Sequence, residues 1–212
     1  MPAVDSLRDR VAEPTEAQAL IAALPECDRA LWACAFFAGL RRGELQALQW
    51  QDIDLASGSL RISRTWDAKE GPTAPKSAAG ARELTMAGAL RDFLAEHRAR
   101  SRWSDGLVFG RARDAPFTPS AVRARALRAW NAARLPAIGL HEARHSFASM
   151  LIAAEVDPKT ISRLMGHSSV AFTLDQYAKV FARHERTMVD RFDAYLELAD
   201  PARLAVLADE NA

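Results

Sequence analysis

The spacing of apolar and polar positions divides the chain into a mostly helical body with one interruption of shorter period. Thr15, after Pro14 and before Glu16, reads as the cap of a first helix. Residues 29–39 (RALWACAFFAG) are apolar on nearly every face, which predicts a helix buried on all sides and ended or kinked at Gly39. Residues 41–50 (RRGELQALQW) open a second helical stretch with Leu45 and Leu48 inward. Then the period changes. Leu60, Ile62, Arg64 and Trp66 alternate with Arg61, Ser63 and Thr65, which predicts a strand after the Ser57-Gly58-Ser59 turn. Residues 67–80, rich in Gly, Pro, Ala and Lys, read as a long hairpin tip or loop, and residues 81–86 alternate again as a partner strand.

Helical spacing resumes at 88–100, followed by the short apolar stretch Leu107-Val108-Phe109. Thr118-Pro119 predicts an N-cap with proline at the first helical position. Val122, Ala126, Ala129, Trp130 and Ala133 form the inward stripe of that helix, with Arg123, Arg125 and Arg128 off it. From His141 to Glu197 the chain reads as helices separated at Pro158, Gly166 and residues 178–183. In the first of these, Ala143, Phe147, Met150, Leu151 and Ala154 predict the inward face, which leaves His141, Arg144 and His145 on the opposite one. The fold class is α+β, mainly α, with one small antiparallel sheet.

Composition narrows this further. With 212 residues there is room for one or two domains and a sizeable core. No run of about 18 apolar residues occurs, so no membrane span is expected. The opening MPAVDSLRDR lacks the apolar centre of a signal peptide, so the expected location is cytoplasmic. Cys27 and Cys34 are too few for a disulfide framework and are expected as small core residues. The net charge of +1 says nothing about a polyanionic partner, but 24 of the 28 basic residues are arginine. Arginine is the better residue for bidentate phosphate contacts.

Two short motifs are set aside on physical grounds. His141-Glu142-Ala143-Arg144-His145 matches the zinc-protease pattern H-E-x-x-H. The position that would supply a third histidine is Leu151, and the downstream Glu155 has no supporting pattern around it. Arg144 also places a permanent cation beside both imidazoles. Gly166-His167-Ser168-Ser169-Val170 lacks the final glycine of a nucleophile elbow.

A different constellation fits better. Arg41 opens a helix with Glu44 three residues on; Lys76 sits at a Pro-Lys-Ser tip between two strands. His141 and Arg144 share a helix, and His167 follows Gly166 with Tyr177 ten residues further. Two guanidiniums, one ammonium, two imidazoles and a phenol suit in-line attack on a phosphodiester without a metal. Fixed arginine forks stabilise charge on the non-bridging oxygens. A tyrosine hydroxyl, with a pKa of about 10, needs a nearby acceptor or cations to act as nucleophile. The leaving alkoxide needs a general acid such as lysine.

The order of these residues resembles the tyrosine recombinase (phage integrase) family. The matching stretches are GLRRGELQALQWQDIDL at 39–55, PKSAAGARELTM at 75–86, LHEARHSFASML at 140–151 and LMGHSSVAFTLDQYAKV at 164–180. The resemblance implies that Arg41 and Arg144 clamp the scissile phosphate and Lys76 protonates the leaving 5′-oxygen. It implies that His141 assists proton movement at Tyr177, that His167 hydrogen-bonds the phosphate, and that Tyr177 forms a 3′-phosphotyrosyl bond. Glu44 matches the acidic position that orients groups near the first arginine. The implied partners are double-stranded DNA and further copies of the chain, tetrameric on DNA and monomeric away from it; the implied cofactors are none, metal included. Arg123, Arg125 and Arg128 are expected to touch the DNA backbone.

Two departures accompany the resemblance. Arg42-Gly43 stands where relatives often carry Ile-Ser or Val-Ser, so an arginine doublet occupies the first box; Arg41 is chosen because Gly39-Leu40 precedes it and Glu44 follows by three. Residues 1–13 look like the tail of an interdomain linker, 14–182 like the catalytic domain, and 183–212 like a C-terminal helix and tail. The helical core-binding domain that relatives carry upstream is expected to be absent, with weak DNA affinity as the consequence. Met188, Val189, Phe192 and Tyr195 give residues 184–197 an apolar stripe suited to docking on a neighbouring subunit or in cis. Plainer readings exist for each residue alone: Arg41 and Glu44 as a surface pair, Lys76 or Lys69 as a loop lysine, Tyr177 as a core aromatic.

Overall fold

The computed structural model describes residues 10–75 and 77–198 of the chain. Lys76, residues 1–9 of the expected linker and residues 199–212 of the expected tail lie outside the described residues. The chain divides into two compact units, one ending at Thr173 and the other beginning at Leu174.

The first unit is organised round helix α2 (Glu26–Ala38), nine of whose residues are buried. This is the helix whose apolar faces predicted full burial. Trp32 meets Trp130 edge-on at 4.8 Å, and the Trp130 indole donates to Leu20 O at 2.9 Å. These contacts fasten α1 (Pro14–Ala22) and α5 (Pro119–Ala132) to α2. The cap of α1 is Glu13, so Thr15 lies inside the first turn and not at the cap. Proline at the first position of α1 and α5 fits both starts, because that amide has no helical acceptor in any case. Asp28, in the first turn of α2, is buried and is held by a two-pronged pair with Arg125 of α5, both contacts at 2.7 Å. Cys34 is buried as expected, whereas Cys27 is exposed, because the first turn of α2 leaves it on the solvent side.

Gly39 ends α2 in the left-handed conformation, φ 61°. Helix α3 (Arg42–Ala47) follows at once and is shorter than the expected 41–50 helix. A 3-10 turn at Trp50–Asp52 takes over there, with the Asp52 carboxylate accepting from the Gln49 amide at 3.1 Å.

The β region is a three-stranded antiparallel sheet in the order β1–β2–β5: β1 is Ile53–Asp54, β2 Ser59–Ile62 and β5 Arg82–Thr85. Leu60 faces Leu84 and Ile62 faces Arg82 across β2 and β5. The expected strand does not run unbroken to Trp66. It stops after Ile62, and Arg64 beyond it pairs with buried Asp52. Thr65–Asp67 (β3) then pairs with Gly71–Thr73 (β4) in a separate two-stranded ribbon, inside the segment read as a loop. The ribbon's turn is chemically specified: Asp67 Oδ1 accepts from the Lys69 and Glu70 amides at 2.8 and 3.2 Å, and Gly71 supplies φ 79°.

Helices α4 (Gly88–Arg100), α6 (Leu140–Ala153) and α7 (Pro158–Met165) complete the unit. Within residues 10–13, read as linker, Ala12 is buried and its amide donates to Ser146 Oγ at 2.8 Å. The inward face of α6 differs from expectation. Ala143, Arg144, Ser146, Ala148, Ser149 and Ile152 are buried, while Ala154 at its end is exposed. The apolar count misplaced this face because a buried arginine and two buried serines carry part of it.

Helix α8 (Val170–Leu198) crosses into the second unit and leaves helical geometry at Tyr177, with φ −114° and ψ 16°. Val189, Phe192 and Tyr195 of the expected apolar stripe are exposed; the Met188 side chain lies outside the described residues. Among the described residues no helix is long and apolar enough to cross a membrane.

Gly39 is the most demanding of these positions. A Cβ there would lie 2.5 Å from Phe147 Cδ1 and 3.1 Å from Met165 Sδ, in a conformation that L-residues disfavour. Gly39→Ala is expected to destabilise the fold by about 2–4 kcal/mol. Chemical unfolding with the tryptophans as probe measures this; a change within about 0.5 kcal/mol would show that the turn relaxes freely.

Candidate active site

The site is built on the C-terminal end of α7. The last carbonyls of a helix have no helical partner and carry the negative end of its dipole. Here three successive ones each receive a different guanidinium. Leu164 O accepts from Arg82 Nε at 2.7 Å, Met165 O from Arg144, and Gly166 O from Arg41 Nη2 at 2.9 Å. Gly166 caps α7 in the left-handed conformation, φ 62°. A Cβ on it would meet Arg82 Nη1 at 2.8 Å and Ala79 O at 3.0 Å, so Arg82 occupies the space that a side chain at this turn would fill.

One carboxylate sits among them. Glu44 is buried and accepts both prongs of Arg82, at 2.9 and 3.0 Å. It also folds back on the residue that starts its own helix, accepting the Arg41 amide at 2.8 Å and Arg41 Nη1 at 2.9 Å. Arg144 is buried and donates in addition to Gly39 O, the carbonyl of the α2 cap. Three guanidinium charges therefore face one carboxylate. Burial alone would raise the Glu44 carboxyl, but the hydrogen bonds and charge of Arg82, with the charge of Arg144, outweigh it and hold the group at about 2.

A cavity of about 820 Å³ opens beside this cluster and is lined by Arg41, Arg144, Glu44, His141 and Arg123 among others. Arg42 also lines it, but Arg41 is the member of the doublet held by Glu44 and Gly166. Pro75 and Ser77 line it as well, one on each side of Lys76. His141, exposed at the start of α6, meets His145 Nε2 to Nε2 at 2.8 Å with the rings perpendicular. Among the described residues no group of three or more His, Cys, Asp or Glu could hold a metal ion.

His167 follows the Gly166 cap. Its amide donates to Ser162 O at 3.0 Å, its Nδ1 lies 2.8 Å from Thr173 Oγ1, and Phe172 meets its ring edge-on. Burial, then the positive charge of Arg144 and Arg41 with smaller effects of His145 and Arg82, pushes its pKa down to about 4. The ring is therefore neutral near pH 7.

Of the sequence-predicted residues, Arg41, Glu44, His141, Arg144 and His167 belong to the first unit. The first four line one cavity, and His167 follows directly on Gly166, another of its lining residues. Tyr177 belongs to the second unit, where it is buried at the kink of α8. The three arginines of α5 separate: Arg123 lines the cavity, Arg125 is engaged by Asp28, and Arg128 is exposed. Arg82 was missed. Its signal was present, because alternation puts position 82 on the same strand face as buried Leu84, where an arginine requires a buried acid.

The fold is that of the tyrosine recombinase catalytic domain. It superposes on the Tn1549 transposon integrase in complex with circular intermediate DNA with a TM-score of 0.73 at 19% identity, covering 89% of this chain and 68% of that one. For the XerA recombinase the TM-score is 0.64 at 21% identity, covering 87% and 66%. The model of the phage integrase family matches residues 10–184, and the chain belongs to that family. Similar relatives include the ICEBs1 integrase of Bacillus subtilis (strain 168), 28% identical over 86% of this chain and 54% of the relative. Tyrosine recombinase XerC of Azotobacter vinelandii is 33% identical over 69% and 46%. The chain spans about half the length of the curated relatives it matches.

The depressed Glu44 pKa fixes a pH dependence. A carboxylate with a folded pKa below its unfolded value of 4.5 contributes stability above that value, lost as pH falls toward about 2. The contribution is roughly 3 kcal/mol. Unfolding free energy is expected to fall by that order between about pH 5 and pH 2, and Glu44→Gln to flatten the dependence. An unchanged slope in the variant would show that Glu44 is not the titrating group.

Proposed function

We propose that this chain cuts and rejoins one strand of duplex DNA through a covalent link to Tyr177, as the catalytic part of a site-specific recombinase. The observation that carries the proposal is the pair Arg41 and Arg144, fixed on the α7 carbonyls beside one cavity, in a chain of the phage integrase family. Among the described residues that line the cavity, Arg41, Arg42, Arg123 and Arg144 outnumber the carboxylates Glu44, Asp67 and Glu142, so the cavity favours an anion with two oxygens to grip.

The reaction is an in-line exchange at phosphorus. The Tyr177 oxygen forms the new P–O bond and the bond to the 5′-oxygen breaks, leaving a 3′-phosphotyrosyl link and a free 5′-hydroxyl. The phenolic proton leaves by way of His141. The 5′-oxygen receives a proton from Lys76, whose neighbours Pro75 and Ser77 line the same cavity. Arg41 and Arg144 stabilise the charge that gathers on the non-bridging oxygens, and His167 adds a neutral donor. Attack by a 5′-hydroxyl reverses the sequence, and the stored ester makes a nucleotide cofactor unnecessary. Most of the rate comes from positioning and electrostatics, as elsewhere in phosphoryl transfer.

Arg123 of α5, which lines the cavity, meets the DNA backbone in this reading. Double-stranded DNA is the partner, with a tetramer of the chain as the assembly that exchanges two duplexes.

Incubation with a nicked substrate that loses its 5′ fragment after cleavage tests the proposal. A covalent protein–DNA adduct is expected, absent in Tyr177→Phe and reduced about 10²–10³-fold in Arg41→Lys or Arg144→Lys. DNA binding is expected to persist in Tyr177→Phe. An undiminished adduct in that variant removes Tyr177 from the scheme; binding with no adduct from the unaltered chain would make it a silent DNA-binding module.

A further inference from the structure

We infer that Thr173 is a positioning residue that holds His167 in the tautomer with its proton on Nε2. The argument starts from the hydroxyl. Thr173 has no solvent exposure, and its Oγ1 lies 2.8 Å from His167 Nδ1. Among the described residues this is the hydrogen bond the hydroxyl makes. A buried hydroxyl must place its single proton on an acceptor or lose that bond altogether. A helical threonine often turns its hydroxyl back to the carbonyl four residues earlier. Here that carbonyl, on Ser169, accepts from Ser162 Oγ at 3.2 Å instead.

Two arrangements of the 2.8 Å contact are possible, and only one satisfies both partners. If Thr173 donates, Nδ1 is a bare acceptor and the ring proton resides on Nε2. If Nδ1 carries the proton, Oγ1 accepts it and the hydroxyl proton has no acceptor. The imidazolium has the same defect. It is further opposed by the burial of the ring, and then by the positive charges of Arg144 and Arg41, with smaller effects of His145 and Arg82.

The ring is not free to escape by turning. Gly166, the residue before it, is held in the left-handed cap, the His167 amide is bonded to Ser162 O, and Phe172 lies edge-on at 4.8 Å. The Ser169 hydroxyl accepts the Phe172 amide at 3.2 Å, which fixes the start of α8 and so the position of Thr173. The outcome is an uncharged N–H donor on the ring edge opposite Thr173. Its use as a grip on a phosphate oxygen rests on the strand-transfer proposal; the tautomer does not.

Long-range 1H–15N spectra of the full chain test the assignment without DNA, with His167→Phe used to identify the resonances. At pH 7 the unaltered chain is expected to show a pyridine-type Nδ1 and a pyrrole-type Nε2 for His167. Thr173→Val is expected to move the tautomer ratio by about tenfold toward Nδ1–H, and Thr173→Ser to restore it. A pyrrole-type or averaged Nδ1 in the unaltered chain overturns the inference, whether or not the valine variant folds. So does a folded Thr173→Val with the original pattern. Failure of the chain to form a phosphotyrosyl adduct, with the expected spectra, would count against strand transfer alone.

Discussion

Three guanidiniums converge on the unpaired carbonyls of a single helix end, and the arrangement of the first unit follows from that. Arg82 comes from β5, Arg144 from α6 and Arg41 from the turn between α2 and α3, yet all three end on Leu164, Met165 and Gly166 of α7. Like charges gathered at this spacing repel. The carbonyl oxygens, the negative end of the α7 dipole and the Glu44 carboxylate offset that repulsion. Compared with apolar residues of the same volume, a buried ion pair such as Glu44–Arg82 adds little net stability, because desolvation cancels most of the attraction. Its effect is on geometry: removing one partner strands the other, at a cost of about 3–5 kcal/mol, so alternatives to this arrangement are strongly disfavoured.

The same charge imbalance governs the neighbouring groups. His167 stays neutral first because it is largely buried, and then because ionising it would add a further cation beside Arg144 and Arg41. Glu44 stays ionised far below its usual range because the hydrogen bonds and charge of Arg82, with the charge of Arg144, outweigh the cost of its burial. An anion entering the cavity meets fixed positive charge and oriented donors that need not reorganise, the condition under which electrostatic stabilisation is most effective.

Much of this was legible in the sequence, and the rest was hidden for physical reasons. The buried helix α2, the β2–β5 pairing and the helices α4 to α7 follow from apolar period and from proline or glycine at the ends. Arg41, Glu44, His141, Arg144 and His167 were legible because their order is specific, even though each residue alone has an ordinary explanation. The β3–β4 ribbon was not, since three-residue strands containing Pro72 carry almost no alternation. The face of α6 was misjudged because hydrophobicity cannot reveal that Arg144 and Ser146 are buried with their hydrogen bonds made, or that Ser149 is buried beside them. Arg125 was expected at the DNA backbone, and nothing local in the sequence points to its partner; only the fold brings Asp28, 97 positions earlier, into its fork.

Helix termination and cation placement are one event in this protein. Gly39 and Gly166 both stop a helix by adopting a positive φ, and in each case the freed carbonyl is the acceptor for an arginine of the site. A residue with a side chain would be strained at either turn. It would also strike Phe147 and Met165 at the first and Arg82 at the second. The two glycines thus do more than punctuate the chain: each sets the exact residue at which a helix stops, and that choice decides which carbonyl oxygen faces which guanidinium. Shift either stop by one residue and the carbonyl would point some 100° away round the helix axis, leaving its arginine to find another acceptor. The placing of Gly39 against Arg144, and of Gly166 against Arg41, is therefore a geometric requirement of the cluster as much as a sequence signature.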